Sequence, residues 1–153
     1  MPDSKPRPRV AVLFVAVSMI LFLASLTQDG FYLEGGDLTA WSSMGLLLTG
    51  WLGLLVGVPA WLANPALATA WILALLGPSR RWYAFAFAVL AVGLCASFLI
   101  YRDILVDEAG HRHAITAYAP GYWLWLASAG VALAGAFVGV ANNPTPRDKP
   151  AGE

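Results

Sequence analysis

GLLLTGWLGLLVGVPAWLANPALATAWILALLG, residues Gly45 to Gly77, carries no ionisable side chain, and Pro59, Asn64 and Pro65 interrupt its apolar pattern. A run of this kind belongs in lipid. As one unbroken helix it would be about 50 Å long, well beyond a hydrocarbon core of about 30 Å, so it must break, fold back or leave the membrane. Pro59 removes a backbone donor and crowds the preceding turn. Asn64-Pro65 reads as an N-cap followed by proline at the first helical position, restarting a helix that runs to Gly77-Pro78.

Working outward, three further apolar runs flank this stretch, at about 10–26, 82–101 and 122–140. The chain has 153 residues, 59% hydrophobic and 12% charged, which lies outside the range of soluble domains and inside that of polytopic membrane proteins. The fold class expected is all-α, a single transmembrane helical bundle over 10–140, between a disordered arm at 1–9 and a disordered tail at 141–153. The positive n-region before Val10 also suits a signal peptide. The boundary Ala24-Ser25-Leu26 lacks an A-x-A cleavage pattern, so an uncleaved anchor is expected.

Charge placement discriminates between two topologies. If 45–77 counts as one proline-broken crossing, there are four crossings and both termini are cytoplasmic. Lys5, Arg7, Arg9, Arg80, Arg81, Arg147 and Lys149 then lie inside against Arg102 and Arg112 outside, seven to two. If the stretch is a tight hairpin at 59–64, there are five crossings and the balance is five to four. Charge favours four.

Two connections are polar. TQDGFYLEGGDLTAWSS, Thr27 to Ser43, holds Asp29, Glu34 and Asp37 without a basic residue and is read as an external loop. Its Phe31, Tyr32 and Trp41 are read as interfacial anchors. RDILVDEAGHRHAITAYAP, Arg102 to Pro120, offers either two short strands across a turn at Ala109-Gly110 or a surface helix. Tyr122, Trp123 and Trp125 then open the last span as an aromatic belt, as Trp82 and Tyr83 open the one before.

Small residues mark candidate packing faces: Ala84, Ala88, Ala91, Ala96 and Ser97 on the third run, and Ser128, Ala132 and Ala136 with Gly135-x-x-x-Gly139 on the last. Gly53 and Gly57 are the corresponding candidates in the organising stretch. Cys95, alone of its kind, lies within an apolar run and is expected as a small packing residue.

Chemistry has two candidate seats. The break at Pro59, Trp61, Asn64 and Pro65 has the form in which transporters expose freed carbonyls and helix ends to a solute, and equally that of a capped turn. Asp107, Glu108, His111 and His113 fall within seven residues. They are weak candidates for a zinc or copper site, since an H-x-H pair alone specifies little, and no metal or other cofactor is expected. No Asp, Glu, Lys, Arg or His sits within an expected span, which argues against a proton-coupled pump. With nine basic and nine acidic residues there is no basic excess to bind nucleic acid.

G-W-L-G-L-L from Gly50 to Leu55, W-L-A-N-P from Trp61 to Pro65 and P-G-Y-W-L-W from Pro120 to Trp125 together resemble a group of small bacterial inner-membrane proteins. The resemblance implies a multi-pass protein of the bacterial inner membrane and brings no activity with it. The function expected from the residues is non-catalytic: an accessory subunit or homo-oligomer in the lipid bilayer, working through helix contacts with a membrane-protein partner or its own copy. The alternatives are a passive channel or transporter for a small neutral solute, and a membrane enzyme or metal-binding protein using the 107–113 loop.

Overall fold

The computed structural model describes residues 8–34, 40–105 and 111–142. Helix α1 covers Pro8–Leu26, α2 Ser43–Thr49, α3 Ala63–Leu75, α4 Arg81–Ser97 and α5 Pro120–Ala141; strands β1 to β4 cover Asp29–Leu33, Ala40–Ser42, Asp103–Leu105 and Arg112–Tyr118. The arm expected at 1–9 gives up Pro8 and Arg9 to α1. Residues 1–7, the tail from 143 onward, and Asp37, Asp107, Glu108 and the Ala109-Gly110 turn lie outside the described residues.

Four of the helices pack side by side, and their inward faces are built from small side chains. On α3 the buried positions are Ala63, Ala66, Leu67 and Ala70; on α4 they are Ala84, Ala88, Ala91 and Cys95. These recur at three- and four-residue steps, which places them on one stripe of each helix. On α5 the stripe continues through Ser128, Ala129, Ala132 and Ala136. Large apolar side chains point the other way: Leu13, Ile20, Ile72 and Phe137 are each about 60% exposed, at 62%, 65%, 58% and 59%. Interior small and exterior large is the arrangement of helices that associate in lipid, where close backbone approach replaces the hydrophobic drive.

α5 and α1 approach closely at Gly135. A Cβ placed there would stand 2.5 Å from Phe14 Cβ on α1, so only glycine lets α5 and α1 meet at this crossing. At Gly139 a Cβ would meet nothing within 4 Å. The expected Gly-x-x-x-Gly pair therefore divides into one contact position and one open one.

The expectation of an all-helical chain is corrected by a four-stranded antiparallel sheet in the order β2-β1-β4-β3. The stretch read as an external loop supplies β1 and β2, and the second polar connection supplies β3 and β4. Tyr32 pairs with Ala117, and Ile104 with His113. Because β1 lies beside β4, both connections gather at one end of the helices. There Phe31, 3% exposed, tucks beneath the sheet with its ring 5.5 Å from that of Phe98 and 6.1 Å from Trp41, and so is no interfacial anchor. An exposed ion pair, Arg112 to Asp103 at 2.6 Å, joins β3 to β4, worth at most about 1 kcal/mol.

Four crossings are likewise not supported. Among the described residues two helical segments, Pro78–Ile100 and Pro120–Ala141, are long and apolar enough to cross a membrane. The organising stretch breaks earlier than its prolines suggest. Ser42 caps α2, its hydroxyl accepting from Gly45 N–H at 3.1 Å, and the chain tightens into a 3₁₀ run from Gly50 to Val56. Gly57, at φ 81°, then turns it, a left-handed conformation that glycine adopts without a Cβ clash. Val58 N–H closes the turn on Gly53 carbonyl at 2.8 Å, and Pro59 starts the next helical turn. A Cβ at Gly53 would touch Val58, so Gly53 serves this turn rather than contact between helices.

Candidate functional site

The break opens onto a chamber of about 770 Å³ at the sheet end of the helices. Its walls come from six places: the end of α1 (Phe22, Ser25, Leu26), the sheet (Gly30, Phe31, Trp41, Ile104, Leu105), the arm from Ser43 to Val58, the turn into α3 and its start (Ala60, Trp61, Asn64), the end of α4 (Phe98) and the start of α5 (Gly121, Tyr122, Trp125). The volume falls within the few hundred to about 1,000 Å³ typical of small-molecule sites.

Two glycines let these elements converge. A Cβ at Gly30 would lie 2.6 Å from Leu46 Cδ1, and one at Gly121 would lie 2.5 Å from the Asp29 carbonyl oxygen and collide with Ser43 Oγ. The arm is held over the chamber by its polar edge. Trp61 Nε1–H donates to Leu47 carbonyl at 2.9 Å, and Tyr101 hydroxyl donates to Gly57 carbonyl at 2.8 Å.

Asn64 is the second correction to the reading of the organising stretch. It lies inside α3, whose N-cap position is Leu62 with no side-chain cap, so Asn64 caps nothing. Its Oδ1 instead accepts from Trp125 Nε1–H at 2.9 Å, tying α3 to α5 beside the chamber. Pro65 is likewise within α3, its carbonyl accepting from Thr69 Oγ1 at 2.7 Å. Of the four residues read as a possible site, Trp61 and Asn64 line the chamber, while Pro59 and Pro65 shape the helix beside it.

The wall offers little to a polar ligand. Its described lining holds no Asp, Glu, His, Lys or Arg. The hydroxyls of Ser25, Thr49 and Tyr122 donate to the carbonyls of Phe22, Gly45 and Cys95 at 2.6, 2.9 and 3.0 Å. The Trp61 and Trp125 indoles are engaged too, so these five donors are spent on the protein itself, while Trp41, Ser43 and the Asn64 amide nitrogen add the remaining polar edges of the wall. Tyr122, 4% exposed, is thus a structural post rather than a belt residue, while Trp123, 51% exposed, stays on the outer surface. Just outside the helices, Tyr118 reaches the carbonyls of Phe98 and Tyr101 at 3.2 and 3.3 Å, and burial raises its phenol above the usual tyrosine range.

A second polar centre escapes sequence reasoning altogether. Ser18, fully buried, donates to Ser128 carbonyl at 2.7 Å and accepts from Trp71 Nε1–H at 2.8 Å, joining α1, α5 and α3 through one hydroxyl. A serine in an apolar run with a tryptophan 53 residues away gives no local signal of this contact.

The loop candidates separate. His113 Nδ1 faces Glu34 carbonyl oxygen at 2.6 Å and therefore carries the proton, leaving Nε2 as its available ring atom. His111 is exposed and precedes β4, and Asp107 and Glu108 lie outside the described residues. Among the described residues no three His, Cys, Asp or Glu side chains converge as a metal site would require. Cys95 is fully buried among Ala63, Ala91 and Ala129.

No family model, curated protein or solved structure matches this chain. The functional reading rests on its own residues.

Proposed function

We propose that the chain is an integral membrane protein that acts without catalysis, through helix contacts, as an accessory subunit or a homo-oligomer. The observation carrying this reading is the inverted helix faces: alanine, serine and glycine inward, leucine, isoleucine and phenylalanine outward. In water that outer surface would greatly exceed the apolar patches that monomers tolerate. In lipid it costs nothing and remains available to a second helix surface.

The helical segments Pro78–Ile100 and Pro120–Ala141 supply the anchorage. Charge orients them, with Arg80 and Arg81 at the cytoplasmic turn, both termini on the same side, and the sheet outside, in a bacterial inner membrane. The solute-passage alternative draws on Asn64 beside the chamber, but its side-chain carbonyl is engaged by Trp125, and the Ser25, Thr49 and Tyr122 hydroxyls are bonded to backbone carbonyls. Separation of membranes from soluble protein after alkaline carbonate washing tests the reading: the chain stays with the bilayer until detergent is added. Release into the supernatant would end it. Cross-linking in intact membranes then distinguishes self-association from capture of a different membrane protein.

A further inference from the structure

We propose that the chamber holds a hydrocarbon chain of a membrane lipid. This rests on the membrane reading and goes beyond it by naming what occupies the interior.

The arm from Ser43 to Val56 contributes no buried residue of its own, and Leu48 and Leu55 on it are 66% and 77% exposed. An arm so apolar on its outer side lies in the bilayer rather than in water. The chamber behind it is only partly enclosed, which leaves a guest a way in. Its described lining carries no charge apart from what Tyr122 would acquire on ionising, and that phenol is committed to Cys95 carbonyl. A charged guest would be desolvated with no counter-charge to repay it. Water gains little against a mostly apolar wall, and leaving about 770 Å³ empty forfeits the contacts of every wall atom. An acyl chain is the apolar molecule at hand at this depth, and it fills the space while its headgroup stays at the surface.

The test uses the full chain in phosphatidylcholine bilayers with two photoactivatable probes, palmitic acid and phosphatidylcholine, each carrying a diazirine on the acyl chain. Adducts are mapped by mass spectrometry. Labelling of chamber residues such as Leu26, Leu46 and Leu47 is expected, above that of the outer residues Ile20 and Ile72. Leu47→Trp, which fills the space, lowers chamber labelling by about tenfold, whereas Ile72→Trp on the outer face of α3 leaves it unchanged. Comparing the probes tells a phospholipid chain from a free fatty acid. As a second measure that tolerates a poorly folding Trp variant, Leu47→Cys should resist a charged, water-soluble thiol reagent in the reconstituted protein. Rapid modification there means a hydrated solute path and overturns the proposal. Labelling of outer faces without the chamber overturns it too, while leaving the membrane reading intact; absence of both removes the membrane reading itself.

Discussion

Ser18 shows how much a single hydroxyl carries in a core of alanines. It is donor to one helix and acceptor from another, so Ser18→Ala strands the Trp71 indole N–H and frees the Ser128 carbonyl at once. An unsatisfied buried donor costs about 1–3 kcal/mol, and chemical denaturation of Ser18→Ala in detergent should show a loss in that range. Wild-type stability in the variant would mean that the serine contributes nothing beyond volume. Asn64 and Trp125 permit a sharper measurement, since the bond joins two side chains. Asn64→Ala and Trp125→Phe combined in a double-mutant cycle should give a coupling of about 0.5–2 kcal/mol, the range seen for hydrogen bonds between membrane helices. Asn64→Ser, too short to reach the indole, should behave like Asn64→Ala; a helix cap would have tolerated it. Zero coupling would dissolve the link between α3 and α5.

At the scale of elements, the α1–α5 crossing is fixed by Gly135 and the arm by Gly57. Gly135→Val drives a branched side chain into Phe14 and should cost about 1–3 kcal/mol or more, read as a lower Tm, because the helices must separate. Gly139→Ala meets open space and gains helix propensity of up to about 1 kcal/mol, so it should be neutral or mildly stabilising. Equal losses at both would show a surface shared by the whole Gly-x-x-x-Gly stripe. In the arm the consequence is conformational. Gly57→Ala forces a Cβ onto a left-handed residue, which costs about 1 kcal/mol and should loosen the Tyr101 contact that pins the turn.

For the whole molecule, strand pairing and charge bear on different questions. The β1–β4 ladder puts both polar connections at one end, whichever side of a membrane that end faces. On the proposed orientation, which arginine placement favours, a reporter fused after Val140 should be active as a cytoplasmic enzyme, and one inserted near Gly110 as an external enzyme. The reverse pattern would invert the orientation while leaving the fold untouched.

What the sequence by itself determined is what local composition can encode. The apolar runs become helices at Pro8–Leu26, Arg81–Ser97 and Pro120–Ala141 within a few residues of where hydropathy puts them, and Ala84, Ala88 and Ala91 lie on the buried stripe their spacing marks. Pro59 signals that 45–77 cannot be one helix, because a missing donor is a property of the residue alone. Tertiary structure decided the rest, since it depends on partners far along the chain. Phe31 reads as a surface aromatic until β1 pairs with β4 and sets its ring against Phe98 and Trp41. Asn64-Pro65 carries a capping signature, yet the chain turns at Gly57, and the amide is left to meet an indole 61 residues away. The chamber has no sequence signature at all. It is the space left where six parts of the chain converge, and Gly30 and Gly121 matter to it only because Leu46 and the Asp29 backbone arrive opposite them.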